Sequence, residues 1–150
     1  ILQSNSYSFL LFCFFFWKAQ NAFLKTIFIK DNQSREKALK EILIGLEKSQ
    51  VSSEKINELK IAVYKALNDE TGALSEYLHL IYNFQQKMAN DDYRNWHSYH
   101  DACVNAIVIL KNQQRLNEVN SLKNRITKAA LPGSKKTIDR INQLLKGDKE

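Results

Sequence analysis

Four side chains within seven residues, His97, His100, Asp101 and Cys103, are of the types that bind metals or move protons, and His79 stands one segment earlier. On a helix, His97, His100 and Asp101 fall at i, i+3 and i+4 and share a face. Imidazole with carboxylate suits zinc or another borderline metal. The spacing argues against such a site, because an HExxH motif needs two histidines at i, i+4 with a glutamate base between them. A Cys103–His100 dyad lacks a third group to orient the imidazole. The acidic pairs Asp69-Glu70 and Asp91-Asp92 fall in turns, where helix capping accounts for them. No nucleophile, base and orienter come together. The expectation is a non-enzymatic chain with no cofactor and no resident metal.

The elements that carry these residues read as helices. From Ser34 to Lys146 apolar residues recur at spacings of three and four, broken by short polar stretches. The first stripe is Ala38, Leu39, Ile42, Leu43 and Leu46, and Ser52 or Ser53 offers a cap to the second, which runs from Ile56 to Leu67. A third holds Leu74, Tyr77, Leu78, Ile81, Phe84 and Met88, and a fourth Trp96, Tyr99, Cys103, Ile107 and Leu110. The fifth is Leu116, Val119, Leu122, Ile126 and Ala129. Leu131-Pro132-Gly133-Ser134 then punctuates the chain, since proline cannot continue a helix and serine can cap the next. A last stripe holds Ile138, Ile141, Leu144 and Leu145. Only Ala22–Ile29 leaves a short extended segment conceivable. With 4 Gly and 1 Pro in 150 residues, an all-β fold lacks its turn residues and a phosphate-cradling glycine loop is equally hard to place. The fold class is therefore all-α: about six helices in antiparallel hairpins, arranged as a solenoid or a bundle.

Phe9 to Trp17 is an unbroken run of nine apolar residues, five of them Phe, which must be buried, inserted or removed. A bilayer span needs about 20 apolar residues, and Lys18, Gln20, Asn21 and Lys25 interrupt any extension. The length suits the apolar region of an export signal, about 7–15 residues, although residues 1–8 carry no Lys or Arg. Residues 1–22 thus read as an export signal or membrane anchor, with a buried first helix as the alternative, and residues 23–150 as a single all-helical domain. The Phe-rich run ending in Ala19-Gln20 resembles export signals of Bacteroidetes-type bacteria, which implies a periplasmic or cell-envelope location.

Net charge is +6, and residues 111–150 hold 10 basic against 4 acidic side chains. Lys123, Arg125, Lys128, Lys135, Lys136 and Arg140 are the candidates for an anionic ligand, nucleic acid or a lipid surface. Cys13 and Cys103 are too few for a disulfide framework and lack CxxC spacing. Tyr77, Tyr82, Phe84, Tyr93, Trp96 and Tyr99 fall within 23 residues, and tyrosine and tryptophan are over-represented where proteins bind partners.

Within Ile56–Leu80, Tyr64, Ala73 and Tyr77 stand at the mutual spacing of a tetratricopeptide repeat, with Gly72 in the turn; the stretch resembles that motif, and Trp96, Tyr99 and Pro132 look like pieces of further copies. Ile61 stands where the motif has a small residue, and no second copy keeps the spacing. The resemblance implies a concave surface that binds a protein or peptide. Tyr77, Phe84, Trp96 and Tyr99 are the expected anchors of such a partner. The alternatives are a basic domain that binds nucleic acid or an anionic surface, and the sensor portion of a longer bacterial regulator.

Overall fold

The structure, a computed structural model, describes residues 2–49, 53–90 and 94–147, with side chains from Phe9 onward. Its described residues form seven α-helices and no strand: α1 (Leu2–Thr26), α2 (Asn32–Lys48), α3 (Glu54–Ala66), α4 (Glu70–Ala89), α5 (Trp96–Asn112), α6 (Leu116–Ala129) and α7 (Ser134–Lys146). The chain is all-α, with helices packed against their neighbours in a way compatible with a helical repeat. The six stripes between Ser34 and Lys146 are α2 to α7, and α1 is added before them. Ala22–Ile29 is not extended. Helix α1 continues to Thr26, whose hydroxyl donates to the Phe23 carbonyl at 2.6 Å, and the chain turns only at Ile27 and Phe28. By its internal contacts the chain divides into two compact units, Ile1–Ala73 and Leu74–Glu150, with the division inside α4.

The first unit has its core between α1, α2 and α3. Leu39, Ile42, Leu43 and Leu46 of α2 meet Ile56, Leu59 and Val63 of α3, and Phe12, Phe16, Ala19, Ala22 and Phe23 of α1 pack against them. The α1 positions follow helical spacing, so a single face of that helix reaches the core. Asp31 caps α2, its carboxylate accepting from the Ser34 amide at 2.7 Å; hydrogen bonding from the Ser34 side chain, and then from this amide, holds the Asp31 carboxyl below the usual range. Ser53 caps α3 by accepting from the Ile56 amide at 3.2 Å. Asn68, at φ 57°, turns the chain, and the Asp69 carboxylate accepts from the Gly72 amide at 2.8 Å to begin α4. Gly72 is therefore inside the first turn of α4 rather than between helices. The Tyr64 ring lies against it so closely that an added Cβ would come within 2.8 Å of Tyr64 Cγ.

In the second unit, Ile81, Phe84 and Met88 of α4 are buried, as are Tyr99, Cys103, Ala106, Ile107 and Leu110 of α5. Gln85 of α4 donates to the Tyr99 hydroxyl at 3.2 Å. Val119, Leu122 and Ile126 are the buried stripe of α6, and Thr137 and Ile141 that of α7. Two lysines fasten α7 in place. Lys111 Nζ donates to the Leu144 carbonyl at 2.7 Å, satisfying one of the carbonyls that the last turn of a helix leaves without a partner. Lys123 Nζ donates to Asn142 Oδ1 at 2.8 Å.

The Tyr64–Gly72 contact predicts that Gly72→Ala destabilises the fold by about 1–3 kcal/mol, the usual cost of overpacking. In a thermal-melt double-mutant cycle, Tyr64→Ala should remove most of that penalty, because the methyl then meets no ring.

Candidate functional site

In the second unit, two histidines and a lysine gather around Trp96. Helix α5 begins at Trp96 without a side-chain cap, and the turn from α6 to α7 brings Gly133 against the indole. Gly133 is required there twice over. Its φ of 79° lies in the left-handed region, and a Cβ would stand 2.7 Å from Trp96 Cε3. His97 lies against the same indole, with ring centroids 3.8 Å apart at 35°, and Lys136 Nζ stands over it at 5.5 Å, a cation–π distance. His100 meets the indole edge-on at 6.3 Å.

His100 is oriented from the other side. The Thr137 hydroxyl donates to the Gly133 carbonyl at 3.1 Å and lies 2.9 Å from His100 Nδ1. The hydroxyl oxygen thus lies within hydrogen-bond reach of both the Gly133 carbonyl and the imidazole, which ties α5 to the start of α7. Beside these residues runs a groove of about 690 Å³ lined by His100, Gly133, Lys135, Lys136, Asp139, Arg140 and Gln143. It can hold an anion against three cations with an indole alongside.

The residues singled out from sequence fall in different places. Trp96 is half-buried beside the groove, whereas Tyr77, Phe84 and Tyr99 are 7%, 2% and 1% exposed and belong to the core. Tyr82 is 57% exposed. Of the six basic candidates, Lys135, Lys136 and Arg140 line the groove. Lys123 is engaged with Asn142, Arg125 acts electrostatically on Tyr99 and Cys103, and Lys128 is exposed at the end of α6. The histidines, Asp101 and Cys103 do not converge: Cys103 is fully buried, Asp101 is exposed, and His79 pairs loosely with Glu76 at 3.8 Å. Among the described residues no three His, Cys, Asp or Glu side chains form a group that could hold a metal. Tyr93 and the Asp91-Asp92 pair lie outside the described residues. The pairing of Gly133 with Trp96 was missed from sequence, although Pro132-Gly133 and Trp96 were each conspicuous.

Burial sets the chemistry of the two interior groups. Desolvation pushes the Cys103 thiol up to about 12 and raises the Tyr99 phenol as well, so both stay neutral at physiological pH. Comparison with protein-family models finds no match for the chain, and comparisons with curated proteins and with solved structures find none either.

Two outcomes are expected. At pH 8 an aromatic disulfide reagent should label exposed Cys13 promptly and Cys103 at least about a thousandfold more slowly, until denaturant opens the core. Gly133→Ala, which adds backbone strain to a ring clash, should cost about 2–3 kcal/mol in a denaturant titration and shift the Trp96 emission.

Proposed function

We propose that the chain is a non-enzymatic helical interaction module of the bacterial cell envelope, tetratricopeptide-like in build, which holds an acidic segment of a partner protein against Trp96 and the cations of α7. The observation that carries this reading is the indole of Trp96, held between Gly133 and Lys136 at the edge of a groove lined by Lys135, Lys136 and Arg140. A half-buried indole with cations beside it supplies both an apolar anchor and charge complementarity, the usual division of labour at a protein interface. His100 adds a polar ring to the groove, and the recognised segment presents carboxylates to its cations.

The tetratricopeptide-like build draws support from α3 and α4, which follow one another across a turn of three residues and bury Ala73 and Tyr77 on the second helix. Envelope residence rests on the apolar run of Phe9–Trp17. The same groove offers stacking and cations to single-stranded nucleic acid, so DNA is the competing ligand.

The test is fluorescence anisotropy with a labelled glutamate-rich peptide and, separately, a labelled oligo-dT strand. The peptide should bind with an affinity that falls about tenfold or more in Lys136→Glu/Arg140→Glu, one to two lost charge contacts. Trp96→Ala should weaken it comparably. Tighter binding of oligo-dT with a steep salt dependence would replace the peptide reading with nucleic acid. Peptide affinity unchanged by either variant would end it.

A further inference from the structure

The face of α1 opposite its core stripe is apolar and uncovered from Phe9 to Trp17, and beyond that Asn21 interrupts it before Leu24. Leu10, Phe14, Trp17 and Leu24 recur on it at helical spacing and are 49–63% exposed, with Phe9 and Leu11 beside them. Phe28, in the turn that follows, is 83% exposed. Soluble monomers rarely keep a contiguous apolar patch beyond a few hundred Å², so a face of this make-up calls for a cover.

Three observations identify it. No described helix is long and apolar enough to cross a membrane, so the cover is not a transmembrane course of α1. The charges around the face are cationic: Lys18 and Lys25, seven residues apart, lie along one edge of it, Lys30 follows, and Asp31 is the one acidic residue among residues 1–33. A helix with Trp, Phe and Leu on one side and lysines at its margin is the make-up of an in-plane membrane helix, whose lysines reach the headgroup phosphates. A second copy of the chain would instead bring like charges together. Beside the face, a crevice of about 390 Å³ opens between α1 and α2, lined by Phe15, Ala19, Ala22, Ala38, Ile42, Gly45 and Leu46, with Lys18, Glu41 and Ser49 completing it. Alanines and a glycine keep it open, and a Cβ at Gly45 would meet nothing within 4 Å.

We propose that α1 lies in the surface of a bilayer containing anionic phospholipid, with Leu10, Phe14, Trp17 and Leu24 in the acyl boundary and Lys18 and Lys25 at the phosphates. The inference is independent of the partner groove at Trp96. It is tested on the full chain by co-sedimentation with vesicles of phosphatidylcholine alone and of phosphatidylcholine with phosphatidylglycerol in equal parts, with circular dichroism as the folding control. Because the substituted side chains are exposed, Phe14→Glu/Trp17→Glu should keep the helical signal while lowering vesicle affinity at least tenfold. Lys18→Glu/Lys25→Glu should abolish the preference for the anionic vesicles and leave the weaker binding to phosphatidylcholine. In Trp96→Phe, where Trp17 is the remaining tryptophan, emission should shift to the blue on adding anionic vesicles. Absence of sedimentation, or sedimentation that Phe14→Glu/Trp17→Glu leaves unchanged, would overturn the proposal. So would a concentration-dependent dimer that the same variant dissolves in a chain that binds no vesicles, which would assign the face to a second copy.

Discussion

Two aromatic rings laid against glycine backbone hold the turns of this chain. Tyr64 packs on Gly72 in the first unit and Trp96 on Gly133 in the second, and in both places a single methyl group would occupy the space of ring carbons. Short amphipathic helices gain little stability alone, because the first turn of each is costly to nucleate and tertiary packing supplies the rest. A ring packed against a glycine at the start of another helix gives that packing a fixed register. In the second unit this contact also creates the groove, since the turn that presents Gly133 to Trp96 places Lys136 over the indole and Thr137 beside His100.

Helix identity was legible because it depends on spacing. Leu39, Ile42, Leu43 and Leu46 are buried as their stripe requires, and so are Val119, Leu122 and Ile126. Ser53 was one of two serines offered as the α3 cap, but the Asp31 cap, the start of α4 at Glu70 and the helical course of Ala22–Thr26 were not foreseen. Caps depend on one side-chain bond each, and a stripe leaves them undetermined by a residue or two. Periodicity also cannot say whether an aromatic stripe ends as core or as surface. Tyr77, Phe84 and Tyr99 share the chemistry of a binding anchor, yet their stripes face inward and take them into the interior. Trp96 differs because it opens its helix, where only part of the ring is covered.

The basic candidates separate for a related reason. Lys123, Arg125 and Lys128 follow the α6 helix, while Lys135, Lys136 and Arg140 follow α7, and residues on two helices form one surface only where both faces turn the same way. Lys123 turns toward Asn142 and Arg125 acts on Tyr99 and Cys103, so α7 alone supplies the groove cations. A block of like charge in sequence therefore dissolves into separate tasks: one lysine fastens helices together, and another covers an indole.

The apolar run of α1 makes the opposite case. Nine consecutive apolar residues circle a helix, whereas a helix lying on two others can bury only the stripe that faces them. Phe12 and Phe16, four residues apart, reach the core of the first unit, and the positions between and around them cannot follow. Phe14 and Trp17 are exposed because of helical geometry, and no rotation of α1 would bury both groups at once. The first unit thus accounts for half of what this run demands. A sequence that keeps the other half apolar, and edges it with lysines, specifies a second environment for the same helix.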